Sequence, residues 1–343
     1  MKAVILAGGG GTRLWPLSTA SRPKQYQKLV SDKFLIKETL DRLDFLNPKD
    51  IYISLSKNQV DLLLETAPNI IPENLIIEPA LRDTASAIGL AASAIEKNFP
   101  GEVMGVFYAD HLIADKKEFQ MKILLAEKIA REENTLNIVE VVAKEPNTNY
   151  GYVELAEETE TKNVYNIKRF VEKPDLEKAK EFVASGNFLW NTGFYVWKTN
   201  VLLEKFKIHK PETYNKLKTI ADALDGNDPE KILNEIYPTL EKISIDYAIM
   251  EKVDPKEIRI IKADMGWSDI GNYKAIFDAL RKDNEKIVAK GDVKSLDCEN
   301  CLVYAYNNKP VRILGLKNVV VADTDEGLLV GDFEEVKKIK EIL

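Results

Sequence analysis

Two cysteines and two histidines are all the soft metal ligands in 343 residues. Cys298 and Cys301 form a single C-x-x-C, and His111 and His209 complete the set. A structural zinc site needs four such ligands close together, and a thioredoxin-type motif would precede a helix rather than the strand-like Val303-Tyr304-Ala305. Buried thiols are the plain reading, with a disulfide or a partial metal site as the other. A basic tract is also missing: 48 Lys and Arg face 55 Asp and Glu, a net charge of −7. Nucleic acid is therefore not the expected partner, and any anion site must be local. The longest apolar stretches, Val103 to Ala109 and Asn318 to Ala322, are strand-sized and far short of the ~20 residues of a membrane span. Met1 leads straight into a core strand, so the expectation is a cytoplasmic protein with no membrane contact. Glutamine occurs only at positions 25, 27, 59 and 120, while Lys and Glu abound, which resembles a thermophile surface.

What the chain does have is glycine in one place. The apolar run Lys2 to Leu6 reads as a buried parallel strand and stops at Gly8 to Gly11. Glycine lets backbone N–H groups approach and face phosphate oxygens, and Arg13 and Lys24 add a planar fork and a point charge beside that cradle. A polyanion belongs there. The two commoner glycine loops fail on spacing: a dinucleotide fingerprint from Gly8 needs glycine at 13, where Arg13 stands, and a Walker loop needs Gly-Lys at Arg13 and Leu14.

Strand candidates at Ile51 to Leu55, Leu75 to Glu78, Val103 to Ala109 and Ile138 to Val142 alternate with helical patterns at Val60 to Thr66, Thr84 to Lys97 and Lys116 to Glu132. This alternation predicts parallel strands joined by crossover helices, with ligands at the carboxyl ends of the strands. From about residue 286 the texture changes to short strand-like pieces at Cys301 to Tyr306, Pro310 to Leu314, Asn318 to Ala322 and Gly327 to Val330, then a short helix over Phe333 to Leu343. No low-complexity linker intervenes. The expectation is an α/β domain over 1–285 with a small β-rich domain, of short left-handed β-helix type, packed on it over 286–343.

The pattern Gly11-Thr12-Arg13-Leu14-Trp15-Pro16 with Pro23-Lys24-Gln25 resembles the G-x-R-x-x-P…P-K signature of sugar-nucleotide pyrophosphorylases, in its mannose-1-phosphate guanylyltransferase form. Further motifs are similar to that family in order and spacing. Glu78-Pro79-Ala80-Leu81-Arg82-Asp83-Thr84 resembles a segment bordering the nucleotide base, with Asp83 where Asn is usual and Ser86 where Pro is common. Asp83 is also a credible helix N-cap; as a carboxylate it suits the N1–H and N2–H₂ donors of guanine. Tyr108-Ala109-Asp110-His111 ends a strong strand, and Gly266-Trp267-Ser268-Asp269-Ile270-Gly271 supplies a second carboxylate, a pair suited to a phosphate-bridging magnesium. Thr148-Asn149-Tyr150-Gly151-Tyr152 carries Asn where the family has Gly, which a left-handed backbone would tolerate. Phe170-Val171-Glu172-Lys173-Pro174, Trp190-Asn191-Thr192-Gly193 and Ser244-Ile245-Asp246-Tyr247 complete the set.

The resemblance implies a Rossmann-like nucleotidyltransferase fold of GT-A type with a mixed sheet. It implies a reaction of GTP with mannose 1-phosphate giving GDP-mannose and pyrophosphate, with Mg²⁺. Arg13, Lys24 and Lys173 would be catalytic. Leu6, Ala7, Gly8, Gly9, Gly11, Thr12, Arg13, Lys24, Arg82, Asp83 and Thr84 would hold the nucleotide. Asp110, Gly151, Glu172, Lys173, Asn191 and Asp246 would hold the sugar phosphate, and Asp110 and Asp269 the metal. A homodimer is compatible with it. The rivals are a glucose-1-phosphate thymidylyl- or uridylyltransferase, a molybdopterin guanylyltransferase, and a non-catalytic regulatory relative; retention of the charged residues argues against the last.

Overall fold

A computed structural model describes residues 1–9, 12–282 and 285–343. The chain runs β1 (Lys2–Leu6), α1 (Leu35–Arg42), β2 (Ile51–Ser56), α2 (Val60–Thr66), β3 (Leu75–Glu78), α3 (Asp83–Asn98), β4 (Val103–Tyr108), β5 (Leu112–Ile113), α4 (Lys116–Glu133) and β6 (Leu136–Val142). It continues with β7 (Gly151–Glu158), β8 (Val164–Glu172), α5 (Leu176–Ser185), β9 (Phe188–Lys198), α6 (Thr199–His209), α7 (Pro211–Ala223), α8 (Pro229–Ile236), β10 (Ile258–Ala263), β11 (Trp267–Ser268) and α9 (Tyr273–Leu280).

A nine-stranded sheet in the order β3-β2-β1-β4-β9-β6-β10-β8-β7 forms the centre. The first four are parallel, as the alternation of apolar runs and helical patterns predicts; β9 then runs antiparallel to both β4 and β6, so the sheet is mixed. Helices cover both faces. Ile36, Leu63, Phe119, Ile123 and Phe182 pack with Ile5 and Val139 on one side, while Ile88, Leu202, Phe206 and Leu217 pack with Val4 and Ile138 on the other. Period-2 alternation sends successive strand residues to opposite faces, and both faces are buried, which is why these strands read as unbroken apolar runs.

The remaining strands are β12 (Ile287–Lys290), β13 (Val293–Leu296), β14 (Cys301–Ala305), β15 (Val311–Leu314), β16 (Val319–Thr324) and β17 (Gly327–Asp332). Parallel ladders β12-β14-β16 and β13-β15 stack as successive coils, and antiparallel β17 closes the stack. Asn300 and Asn318 turn two corners at φ of 50° and 56°, a conformation asparagine accepts more readily than most residues, and their side chains hydrogen-bond at 3.2 Å. Beyond β17 the chain forms a 3₁₀ segment at Glu335–Glu341 rather than the helix expected over Phe333 to Leu343. Cys298 and Cys301 are free and buried, and the thiol of Cys301 lies 3.4 Å from the carbonyls of Glu299 and Leu316.

Leu14, Leu17, Leu29 and Phe277 share one core with Leu302, Tyr304, Val320 and Phe333. The C-terminal stack thus packs directly on the segment that follows the glycine loop. Among the described residues, no helix is long and apolar enough to cross a membrane.

Candidate active site

The carboxyl ends of β1, β3 and β4 converge with the start of α3 on a cavity of about 380 Å³ lined by Leu6, Ala7, Gly8, Gly9, Glu78, Arg82, Asp83, Thr84, Tyr108 and Asp110. Gln25 also lines it and fixes the loop after β1: its side-chain amide donates to the carbonyls of Ala7 at 2.5 Å and Gly9 at 3.2 Å. A Cβ built on Gly9 would meet nothing within 4 Å, so packing within the chain does not demand glycine there. The bare backbone there leaves room for a ligand to lie close over it. Gly11 lies outside the described residues, as does the side chain of Thr12.

Glu78, buried at the floor, accepts from Ser54 Oγ at 2.9 Å and Tyr237 OH at 2.7 Å. Burial pushes its carboxyl above the usual range while those two donors pull it down. Arg82 has a buried Nε with no hydrogen-bond partner among the described residues, an orphan donor beside the cavity. Asp83 sits at φ 65° and its Oδ1 accepts from the adjacent Thr84 N–H at 2.7 Å. That differs from the N-cap expectation, in which the side chain would reach an N–H two or three residues on. Thr84 has a structural partner as well: its hydroxyl accepts from the N–H of Ile245 at 2.9 Å, tying α3 to the Ser244-Ile245-Asp246 segment.

Lys24 is 6% exposed and joins three parts of the chain. Its ammonium pairs with Asp110 at 2.8 Å and donates to the carbonyls of Asp269 at 2.6 Å and Ile270 at 3.3 Å. Burial raises the Asp110 carboxyl, but the Lys24 charge, His111 and hydrogen bonding outweigh it and hold the group below the usual carboxylate range. Asp269 accepts from Tyr150 OH at 2.6 Å and from the N–H of Gly271 at 3.0 Å. Tyr150 stands edge-on to Trp190 and Trp267, each at 5.2 Å between ring centres. His111 accepts at Nδ1 from the indole of Trp267 at 3.1 Å, and burial depresses its pKa to about 4, so it is a neutral ring that packs the site. Arg13 is exposed. It is near enough to Tyr150 for its charge to oppose the rise in that phenol's pKa.

Beyond Tyr108 lies a second group of polar side chains. Asn191 donates to Asp246 at 3.0 Å, and Asp246 accepts from Tyr195 OH at 2.5 Å. Glu172 pairs with the adjacent Lys173 at 2.6 Å. Burial and the nearby Asp246 raise the Glu172 carboxyl, whereas Lys173 opposes them. A Cβ on Gly151 would stand 2.3 Å from Glu172 Oε2 and 3.1 Å from Asn191 Cβ, so that glycine permits their approach. Asn149 is not among the residues with positive φ; instead its N–H donates to Asn147 Oδ1 at 2.9 Å, so its tolerance of a left-handed backbone is not called upon.

Among the described residues, Leu6, Ala7, Gly8, Gly9, Arg82, Asp83, Thr84 and Asp110 line the cavity, Gly151, Glu172, Lys173, Asn191 and Asp246 form the second group, and the charges of Asp83 and Asp110 from the first and Asp246 and Glu172 from the second all act on Tyr108. Glu78, Gln25 and Tyr150 stand among them without having been singled out; Gln25 and Tyr150 adjoin residues that were, while Tyr237 and Ser54 carried no local signal. Three or more His, Cys, Asp or Glu side chains do not converge on one point anywhere among the described residues.

Residues 2–286 match the family described as Nucleotidyl transferase, and residues 291–343 match a MannoseP isomerase/GMP-like beta-helix domain. The chain is 33% identical over 348 residues to the mannose-1-phosphate guanylyltransferase of Escherichia coli, covering 99% of this chain and 73% of that protein. It is 33% identical to the alginate biosynthesis protein AlgA of Pseudomonas syringae, across all of this chain and 71% of that one. A Thermus thermophilus crystal structure described as a mannose-1-phosphate geranyltransferase superposes with a TM-score of 0.89 at 30% identity, covering 99% of this chain and 97% of that one. With the family model matched over residues 2–286 and relatives 33% identical across 99% or more of the chain, the chain belongs to the nucleotidyl transferase family.

Proposed function

We propose that this protein transfers GMP from GTP to α-D-mannose 1-phosphate, forming GDP-mannose and releasing pyrophosphate. The observation that carries this is that two groups adjoin Tyr108: a glycine-loop cavity with an orphan Arg82 donor, and the hydroxyl-matching set Asn191, Asp246 and Glu172. The names of the full-length relatives support the choice of nucleotide and sugar.

In this reading a phosphate oxygen of the sugar attacks the α-phosphorus as the bond to the β-phosphate oxygen breaks, and pyrophosphate leaves with that electron pair. A phosphomonoester with a second pKa near ~6 is largely dianionic at neutral pH, so no general base is needed. The chain supplies position and charge. Arg13 and the backbone of Leu6 to Gly9 face the triphosphate, Lys173 the sugar phosphate, and Lys24 sits between them. Asp83, with Oδ1 on Thr84, offers its other oxygen to guanine.

Family members generally use a divalent metal, and Mg²⁺ is the ion proposed. Asp110 commits Oδ2 to Lys24, and Asp269 commits Oδ1 to Tyr150 and Gly271, so Asp110 Oδ1 and Asp269 Oδ2 are the oxygens that would turn to the ion. Two hard oxygens beside a phosphate site fit an ion that takes few protein ligands. Bound there, it would neutralise charge developing on the phosphates.

We read the chain as a catalytic domain over 1–285 and a β-rich domain over 286–343, acting in the cytoplasm, with homodimerisation open to light scattering. A pyrophosphate-release assay crossing GTP, ATP, UTP and dTTP with mannose, glucose and N-acetylglucosamine 1-phosphates tests the reaction. GTP with mannose 1-phosphate should give the highest kcat/KM; a better pair would replace this assignment.

A further inference from the structure

Glu140 lies in the middle of β6, in the centre of the sheet, with no exposed surface. Its Oε2 accepts from the N–H of Thr192 at 2.7 Å, and its Oε1 is buried without a partner among the described residues. A carboxyl there is costly, because burial removes it from bulk solvent and no cation among the described residues pairs with it. Something must make it worth keeping.

The strand register shows what it does locally. β6 and β9 pair at Val139 with Phe194 and again at Val141 with Trp190, so a single residue of β6, Glu140, faces three of β9, residues 191 to 193. Such a bulge leaves backbone groups outside the ladder, and each needs another partner. Glu140 takes the N–H of Thr192. The Thr192 hydroxyl donates to the carbonyl of Val139 at 2.6 Å, and Asn191 Oδ1 accepts from the N–H of Gly193 at 2.8 Å. Gly193 completes the bend at φ 74°, where a Cβ would come 2.4 Å from the ring of Tyr108.

The bulge has one product, the position of Asn191, which reaches Asp246 and Tyr195 from it. We propose that Glu140 is the positioning residue of the sugar end: a buried acceptor that holds the β9 bulge in the shape presenting Asn191, and through it Asp246, to the sugar hydroxyls. This rests on reading the Asn191 cluster as the sugar end. It assigns no contact between Glu140 and substrate.

The test compares Glu140→Gln, which keeps an acceptor, with Glu140→Met, which removes it at similar volume, and Thr192→Val, which cuts the second clamp of the same bulge. KM for mannose 1-phosphate should rise roughly tenfold or more in Glu140→Met and Thr192→Val, with KM for GTP within about twofold of wild type, while Glu140→Gln keeps both near wild type. Equal changes in the two constants, a fall in melting temperature alone, or a Glu140→Gln variant as impaired as Glu140→Met would overturn the proposal. If Glu140→Met does not fold, an unchanged sugar KM in Thr192→Val overturns it by itself. Calorimetric titration of GDP-mannose and GTP reads the same split without turnover. A wild type that prefers another sugar phosphate corrects the proposed substrate and leaves the Glu140 comparison to be read on that sugar.

Discussion

Lys24 shows how much one side chain settles at this site. Its ammonium is buried against one carboxylate and two carbonyls, so it links the segment after the glycine loop, the end of β4 and the loop after β11. Replacing Asp110 by Asn removes the charge that compensates a buried cation, an uncompensated state that typically costs several kcal/mol. Asp110→Asn should therefore lower the melting temperature, and under the proposed reaction also lower kcat by about a hundredfold or more. Normal turnover at limiting Mg²⁺ would remove Asp110 from catalysis, and an unchanged melting temperature would remove it from the junction. Glu140 gives a pH prediction. Burial raises its carboxyl well above the usual range, Thr192 N–H opposes that, and Asp246 and Glu172, the charged groups acting on it, add to the rise. An unfolded glutamate ionises near ~4.3, so the folded chain holds this proton to higher pH than the unfolded one. The associated stability is complete below that value and is lost as pH rises towards the folded pKa. Glu140→Gln has nothing to titrate, so its melting temperature should gain on wild type as pH rises above the ordinary glutamate range; parallel profiles would mean that Glu140 ionises alike in both states. The charged members of the proposed site, Arg13, Lys24, Asp110, Lys173 and Asp269, come from sequence motifs. Glu140 was not legible in the sequence, because a glutamate inside an apolar strand carries no pattern, and its partner is fixed by a bulge that only the fold reveals.

At the scale of elements, most of the parallel half could be read directly: β3 and α2 lie at the expected residues, and β4, α3 and α4 end within about one residue of their expected bounds. Buried parallel strands are unbroken apolar runs, and their helices carry a clean 3.6 period. Strands β7 and β8 were harder to find, since part of each is exposed and Glu, Lys and Arg interrupt them. The antiparallel turn of β9 into the sheet has no local signal at all, and the motif Asn191-Thr192-Gly193 shows its purpose only when placed opposite β6. Two glycines of these elements should behave differently. Gly193→Ala places a methyl in a left-handed backbone and against the Tyr108 ring, which should cost roughly 2–4 kcal/mol of stability and most of the activity. Gly151→Ala meets the end of the Glu172 side chain, which can swing aside, so its stability should change little while KM for the sugar phosphate rises. Urea midpoints and the two KM values measured on both variants check this. A Gly193→Ala protein as stable as wild type would mean that Tyr108 moves freely.

At the scale of the whole molecule, the C-terminal stack braces the segment that carries Arg13 and Lys24. Tyr304 OH donates to the carbonyl of Leu29 at 2.5 Å, Tyr306 OH to that of Lys28 at 3.1 Å, and Lys290 to those of Lys28 and Ser31. Phe333 stacks obliquely on Phe277 at 5.4 Å, and the core they share includes Leu14, Leu17 and Leu29, the residues flanking Lys24 in sequence. The segment bearing Arg13 and Lys24 is therefore held from above by β-helical coils and from below by the sheet. Phe333→Ala empties a large buried side chain in that shared core, a change that typically costs about 3–5 kcal/mol. Because the core belongs to both parts, urea should still unfold the variant in one transition, at a lower midpoint. The loosened segment lies on the side proposed for the triphosphate, so KM for GTP should rise more than KM for the sugar phosphate. Two separated transitions, with the nine-stranded sheet keeping its wild-type midpoint, would instead show that the stack folds independently and does not steady Lys24.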